Sequence, residues 1–123
     1  MMNKKREDIH ILVVDDEESI RYTFKMFLQR EGYGQITTAA NLEEALILIN
    51  EHPFDLIISD IVLEDASGTD LLRHIQNTGI QCPVVMITGF PNLRTAADSV
   101  RLGAFDYISK PVDNDILIQK IQD

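Results

Sequence analysis

Two adjacent acids, Asp15 and Asp16, follow directly on the apolar run IHILVV (Ile9–Val14), with Glu17 behind them. A third acid, Asp60, follows DLIIS (Asp55–Ser59). A hydroxyl and a glycine, Thr88 and Gly89, follow PVVMI (Pro83–Ile87), and Lys110 with Pro111 comes just after Phe105–Ile108. Carboxylates gathered in one place repel one another and stay ionised together only if a cation neutralises them. Their oxygens suit a hard metal such as Mg²⁺, with Mn²⁺ as an alternative, which keeps several waters and accepts a small number of carboxylates. An ammonium and a hydroxyl beside that metal suit the equatorial oxygens of an incoming phosphoryl group. A carboxylate can itself be the nucleophile there, giving an acyl phosphate.

These residues meet only if the runs that precede them are neighbouring strands. The sequence alternates between two periods. IHILVV, DLIIS and PVVMI carry unbroken apolar runs (ILVV, LII and VVMI), as strands buried on both faces must; QITTA (Gln35–Ala39) and Phe105–Ile108 are weaker strands. Between them lie helical patterns at Glu17–Arg30, Leu42–Asn50, Thr69–Gln76 and Leu93–Leu102, with a last one at Asp113–Ile121. Gly32 and Gly34 stop the first, Asn41 is a good N-cap for the second, and Pro53 ends it. Five strand–helix units with right-handed crossovers give a three-layer α/β sandwich. Ligands of open α/β sheets bind outside the carboxyl ends of the strands, where the acids, Thr88 and Lys110 all fall.

Composition agrees. A chain of 123 residues with 45% hydrophobic and 25% charged residues fits one soluble domain with a real core. No apolar run is long enough to span a membrane, and the charged start, residues 1–8, does not resemble a secretory signal. Cys82 is the only cysteine, so no internal disulfide forms, in agreement with a cytoplasmic location. The net charge of −9 disfavours direct nucleic-acid binding, since Lys4-Lys5-Arg6 is too small a basic patch.

The stretches LVVDDEESIR, FDLIISDIVLEDASG, VVMITGF and GAFDYISKP, in this order, resemble the receiver domains of two-component response regulators over Ile9 to Ile121. LRTAADSVRLGA with GAFDYISKP is similar to receivers of NtrC-type regulators. The resemblance implies a flavodoxin-like (βα)₅ fold with a parallel five-stranded sheet of order 2-1-3-4-5, a receiver domain over residues 9–123 and a short N-terminal extension, 1–8. It implies Asp60 as acceptor of a phosphoryl group from a histidine kinase, in a Mg²⁺-dependent reaction. Asp16 ligates the metal directly, Asp15 mostly through water, and the Val62 backbone carbonyl completes the protein ligands. Thr88 and Lys110 hold the phosphoryl oxygens, assisted by amides near Ile61, Val62 and Gly89. Tyr107 turns inward when Thr88 moves, Lys110-Pro111 is a cis bond, and Gly68 forms the turn before the third helix. Such a domain is a signalling switch rather than an enzyme with its own substrate. Its partners are the kinase, an output domain or downstream protein and, on phosphorylation, a second copy, with transcription regulation as the output. The chain departs from the family at Glu64, where many receivers have proline, and carries apolar Val62 and Phe90 at the two positions that tune dephosphorylation.

Blander roles stand beside these. Asp15 or Asp16 could cap a helix, Asp60 could be a loop acid, Thr88 a strand end, Lys110 a surface lysine and Tyr107 half-buried packing. Cys82 reads as inert, His10 as a packed or edge residue, His52 and His74 as surface residues, and Met26 and Met86 as core. A haloacid-dehalogenase-like phosphatase would need an Asp-x-Asp pair, and the residue two after Asp60 is Val62. A nucleotide- or flavin-binding module would show a Gly-rich phosphate loop, which is absent.

Overall fold

The computed structural model describes residues 5–60, 63, 67–88, 101, 103–104 and 106–109. Five strands are joined side by side: β1 (His10–Val14), β2 (Gln35–Ala39), β3 (Leu56–Asp60), β4 (Val84–Thr88) and β5 (Asp106–Ser109). Their order is β2-β1-β3-β4-β5 and every pairing is parallel. Three helices connect them: α1 (Glu18–Arg30), α2 (Leu42–Glu51) and α3 (Gly68–Thr78). The parallel α/β architecture expected from the alternating periods is thus present. The helical readings at Leu93–Leu102 and Asp113–Ile121 lie outside the described residues, apart from Arg101, which is helical.

Strand alternation builds two cores. Ile11 and Val13 of β1, Ile58 of β3 and Val85 and Ile87 of β4 face α1, where Phe24 and Leu28 meet them. Leu12, Val14, Ile57 and Met86 face the other way, onto Ala45 and Ile49 of α2 and Leu71, Leu72 and Ile75 of α3. Successive strand residues point to opposite faces, so a strand covered by helices on both sides must be apolar at every position. That is why IHILVV carries no solvent face.

Local signals fix the helix ends. The Asn41 side chain accepts a hydrogen bond from the Glu44 amide at 2.8 Å, the expected N-cap. Helix α3 begins with a capping box between Ser67 and Asp70 and ends at Gly79, whose φ of 75° is left-handed. Gly32, with φ of 99°, turns the chain after α1. Arg6, in a single 3₁₀ turn (Arg6–Asp8), donates to the Glu31 carbonyl at 2.8 Å and lies over the Tyr33 ring at 5.3 Å. Its cation thus sits at the C-terminal end of α1, where the helix dipole favours one.

Met26 is a correction: it is 41% exposed, not core. The buried stripe of α1 runs through Phe24 and Leu28, and Met26 lies two residues, about 200°, from Phe24 around the helix. Met86 is fully buried as expected. Tyr33, only 2% exposed, is a core residue that periodicity did not reveal because it lies in the turn after α1.

Candidate functional site: an acidic cluster at the carboxyl edge of the sheet

The register sets the site. Val14 of β1 stands opposite Ser59 of β3, and Asp60 opposite Ile87 of β4. Asp15 and Asp16, just after β1, Asp60 at the end of β3 and Thr88 at the end of β4 therefore share one edge. Thr88 pairs in turn with Ser109 of β5, one residue before Lys110. Asp60 and Thr88 were expected immediately after their strands; each is the final strand residue.

One ligand oxygen from each of Asp15, Asp16 and Asp60 lies within 4.8 Å of the others. Among the described residues this is the one group of three or more His, Cys, Asp or Glu side chains able to hold a metal. Asp15 and Asp60 are buried, at 2% and 7% exposure, while Asp16 is exposed. Two buried carboxylates beside a third form a site of concentrated negative charge, which a hard divalent cation relieves. The donor set, all carboxylate oxygen, fits Mg²⁺ or Mn²⁺ and not a thiolate- or imidazole-seeking metal.

Contacts on its amide, side chain and carbonyl hold Asp15. Its amide donates to the Ala39 carbonyl of β2 at 3.1 Å, extending the ladder by one rung. Its Oδ1 accepts from the Glu17 amide at 3.0 Å, and its carbonyl accepts from Arg21 Nη1 at 2.8 Å. Neither Asp15 nor Asp16 caps α1, because the N-cap position is Glu17, which makes no side-chain cap. Arg21 was not singled out from the sequence. Its signal was available, however: a cation in the first turn of a helix opposes the dipole and so calls for a specific partner.

The remaining polar candidates are structural. His10 Nε2 is 2.8 Å from Thr37 Oγ1, and the His10 ring lies 4.4 Å from that of Phe54. Burial, with the Asp55 charge assisting, pushes the Cys82 thiol up to about 12, in keeping with an inert cysteine. No helix among the described residues is long and apolar enough to cross a membrane. Val62, Gly89, Phe90, Lys110 and Pro111 lie outside the described residues, and Thr88 and Tyr107 are placed by backbone register only.

A doubly wound parallel sheet with a carboxylate cluster at its carboxyl edge defines a class of open α/β domains that bind their ligands at that edge. Comparison narrows the class to one family. The chain belongs to the response regulator receiver domain family, which it matches over residues 11–122. It is 43% identical over 102 residues to the response regulator protein PilR of Pseudomonas aeruginosa, covering 83% of this chain and 23% of PilR. A response regulator from Burkholderia pseudomallei, solved with a phosphorylated aspartic acid, calcium ion and citrate, is similar with a TM-score of 0.86 and 30% identity over 94% of this chain and 67% of that one. The beryllofluoride-activated NtrC4 receiver domain dimer is similar with a TM-score of 0.85 and 33% identity, covering 92% of this chain and 93% of that one. The chain is thus a two-component receiver domain with relatives among NtrC-type transcription regulators, and it spans about a quarter of the length of PilR.

Proposed function

We propose that this domain takes a phosphoryl group from a histidine kinase onto Asp60, and that Mg²⁺ is bound by Asp15, Asp16, Asp60 and the Val62 carbonyl. The observation that carries this reading is the approach of three carboxylates within 4.8 Å at the carboxyl edge of the sheet. Mg²⁺, when bound, neutralises those carboxylates and the charge on the phosphoryl oxygens. An Asp60 oxygen attacks phosphorus, the P–O bond forms as the P–N bond of phosphohistidine breaks, and imidazole leaves. Asp60 is held at the carboxyl edge of the sheet because it is the last residue of a fully buried strand. Thr88 donates its hydroxyl to a phosphoryl oxygen and Lys110 supplies a fixed positive charge. The domain then relays the change through Thr88 and Tyr107 to the face made by the fourth helix, β5 and the fifth helix.

That face controls an output domain or a downstream protein in the cytoplasm, and a homodimer forms there on phosphorylation. The dimer of the activated NtrC4 receiver and the relationship to PilR support this part of the reading. In this assignment residues 9–123 form the receiver proper, and residues 1–8 precede it. The test is intact-mass measurement after incubation with acetyl phosphate and Mg²⁺. The mass rises by one phosphoryl group, and Asp60→Ala or a chelator abolishes the rise. Undiminished labelling of the variant would defeat the proposal.

A further inference from the structure

We propose that Arg21 is a positioning residue for the divalent-cation site, an inference that rests on the metal-binding reading above. Arg21 lies in the first turn of α1, where its charge opposes the positive end of the helix dipole. Its guanidinium instead reaches back to the Asp15 carbonyl, at 2.8 Å and partly buried. The carbonyl of Asp15 and the amide of Asp16 belong to one planar peptide unit. Fixing that carbonyl therefore fixes the plane from which Asp16 departs. The other side of Asp15 is already fixed, since its amide is bonded to Ala39 in β2 and its Oδ1 to the Glu17 amide. Arg21 is the member of this set that comes from a helix rather than from the sheet or the turn itself. It ties the turn carrying two of the three clustered acids to the body of α1, whose Phe24 and Leu28 are anchored in the core.

Charge and geometry predict opposite outcomes, which makes the inference decidable. Arg21 adds positive charge beside a cation site, so removing that charge alone would tighten cation binding. Losing the anchor of the Asp15–Asp16 peptide loosens the ligand set, and partners that orient metal ligands are worth on the order of tenfold or more in affinity. The positioning role therefore predicts weaker binding.

The experiment measures Mg²⁺ affinity by calorimetry for the parent chain, Arg21→Met and Arg21→Lys, together with amide hydrogen exchange of each without metal. Methionine keeps an apolar stem and helix propensity but has no donor. The expected result is a loss of affinity of roughly tenfold for Arg21→Met and a smaller loss for Arg21→Lys. In the metal-free chain, the Asp16 and Glu17 amides of Arg21→Met exchange faster while those of Phe24 and Leu28 do not, which separates a loosened turn from a loosened fold. Mg²⁺ binding by Arg21→Met as tight as the parent's or tighter overturns the inference, as does faster exchange of Phe24 and Leu28 to the same degree as Asp16 and Glu17. Asp16→Asn is measured alongside. If it leaves the parent's affinity unchanged, the metal site itself has been misassigned, and that failure is distinct from parent-like binding by Arg21→Met.

Discussion

Replacing Asp16 by asparagine changes the charge of the cluster while nearly preserving its shape, and its effect on stability has opposite signs with and without metal. The ligand oxygens of Asp15, Asp16 and Asp60 lie within 4.8 Å of one another. Two unit charges at about that separation repel by about 0.9 kcal/mol at the dielectric of water, and by about 3.5 kcal/mol at an effective dielectric near 20. Asp16 is exposed, so the lower figure governs, and physiological salt reduces it to roughly half. Relief of two such pairs stabilises the metal-free chain by about 1 kcal/mol, a rise of about 3–5 °C in melting temperature for a domain of this size. With Mg²⁺ at a hundredfold excess over its dissociation constant, the parent gains about 2.7 kcal/mol, which the variant largely forgoes. Thermal melting followed by circular dichroism in chelator and in Mg²⁺ therefore shows the two proteins exchanging rank. A variant that melts below the parent in chelator, or that gains as much from Mg²⁺ as the parent does, would refute the crowded-acid reasoning.

Other substitutions test the elements that carry the site. Asn41→Ala removes the 2.8 Å cap on α2 and costs about 1 kcal/mol in urea denaturation, with Asn41→Asp largely sparing it. Cys82, its thiol pushed up to about 12 by burial and the nearby Asp55, stays protonated at pH 8 and alkylates far more slowly than a free thiol. On the order of a hundredfold slower reaction with iodoacetamide is expected, and urea restores the ordinary rate. The raised thiol pKa also means that its contribution to stability is intact below pH 9 and is lost as the pH climbs toward about 12. Val62 and Phe90 offer no hydrogen-bonding side chain to orient an attacking water. Val62→Asn with Phe90→Glu accordingly shortens the lifetime of the phosphorylated mass after the donor is removed, and an unchanged lifetime would show that these positions do not set it.

Much of this architecture was legible because parallel strands covered on both faces are apolar throughout. IHILVV could be placed as a strand without any neighbour in view, and QITTA falls on residues 35–39 in both readings. Boundaries were less legible where a side chain substitutes for the ladder. Asp55 reads as the first residue of its strand, but it lies in the turn before β3: its amide donates to the His10 carbonyl at 2.8 Å and its Oδ2 accepts from the His10 amide at 2.9 Å. At its other end the strand runs one residue further, because Asp60 pairs with Ile87 of β4. Both ends of α3 had local signals, the Ser67–Asp70 capping box and Gly79, that apolar periodicity does not register.

Met26 failed as a core residue because hydrophobicity alone says nothing about which side of a helix faces the sheet. The carboxylate cluster was legible because strand order brings residues 15, 16 and 60 together whatever the loops do. Arg21 was legible only in part: a cation at the start of a helix calls for a partner, but that partner is a backbone carbonyl, which no residue type advertises.

Whether Asp60, among the three clustered acids, accepts the phosphoryl group is decided by locating the acyl phosphate. Acetyl phosphate with Mg²⁺ labels the chain, borohydride reduces the acyl phosphate to an alcohol, and peptide mass spectrometry finds the modified residue. Homoserine is expected at position 60, with Asp15 and Asp16 unmodified. Homoserine at position 15 or 16, or none anywhere in a chain that has gained the phosphoryl mass, would contradict it.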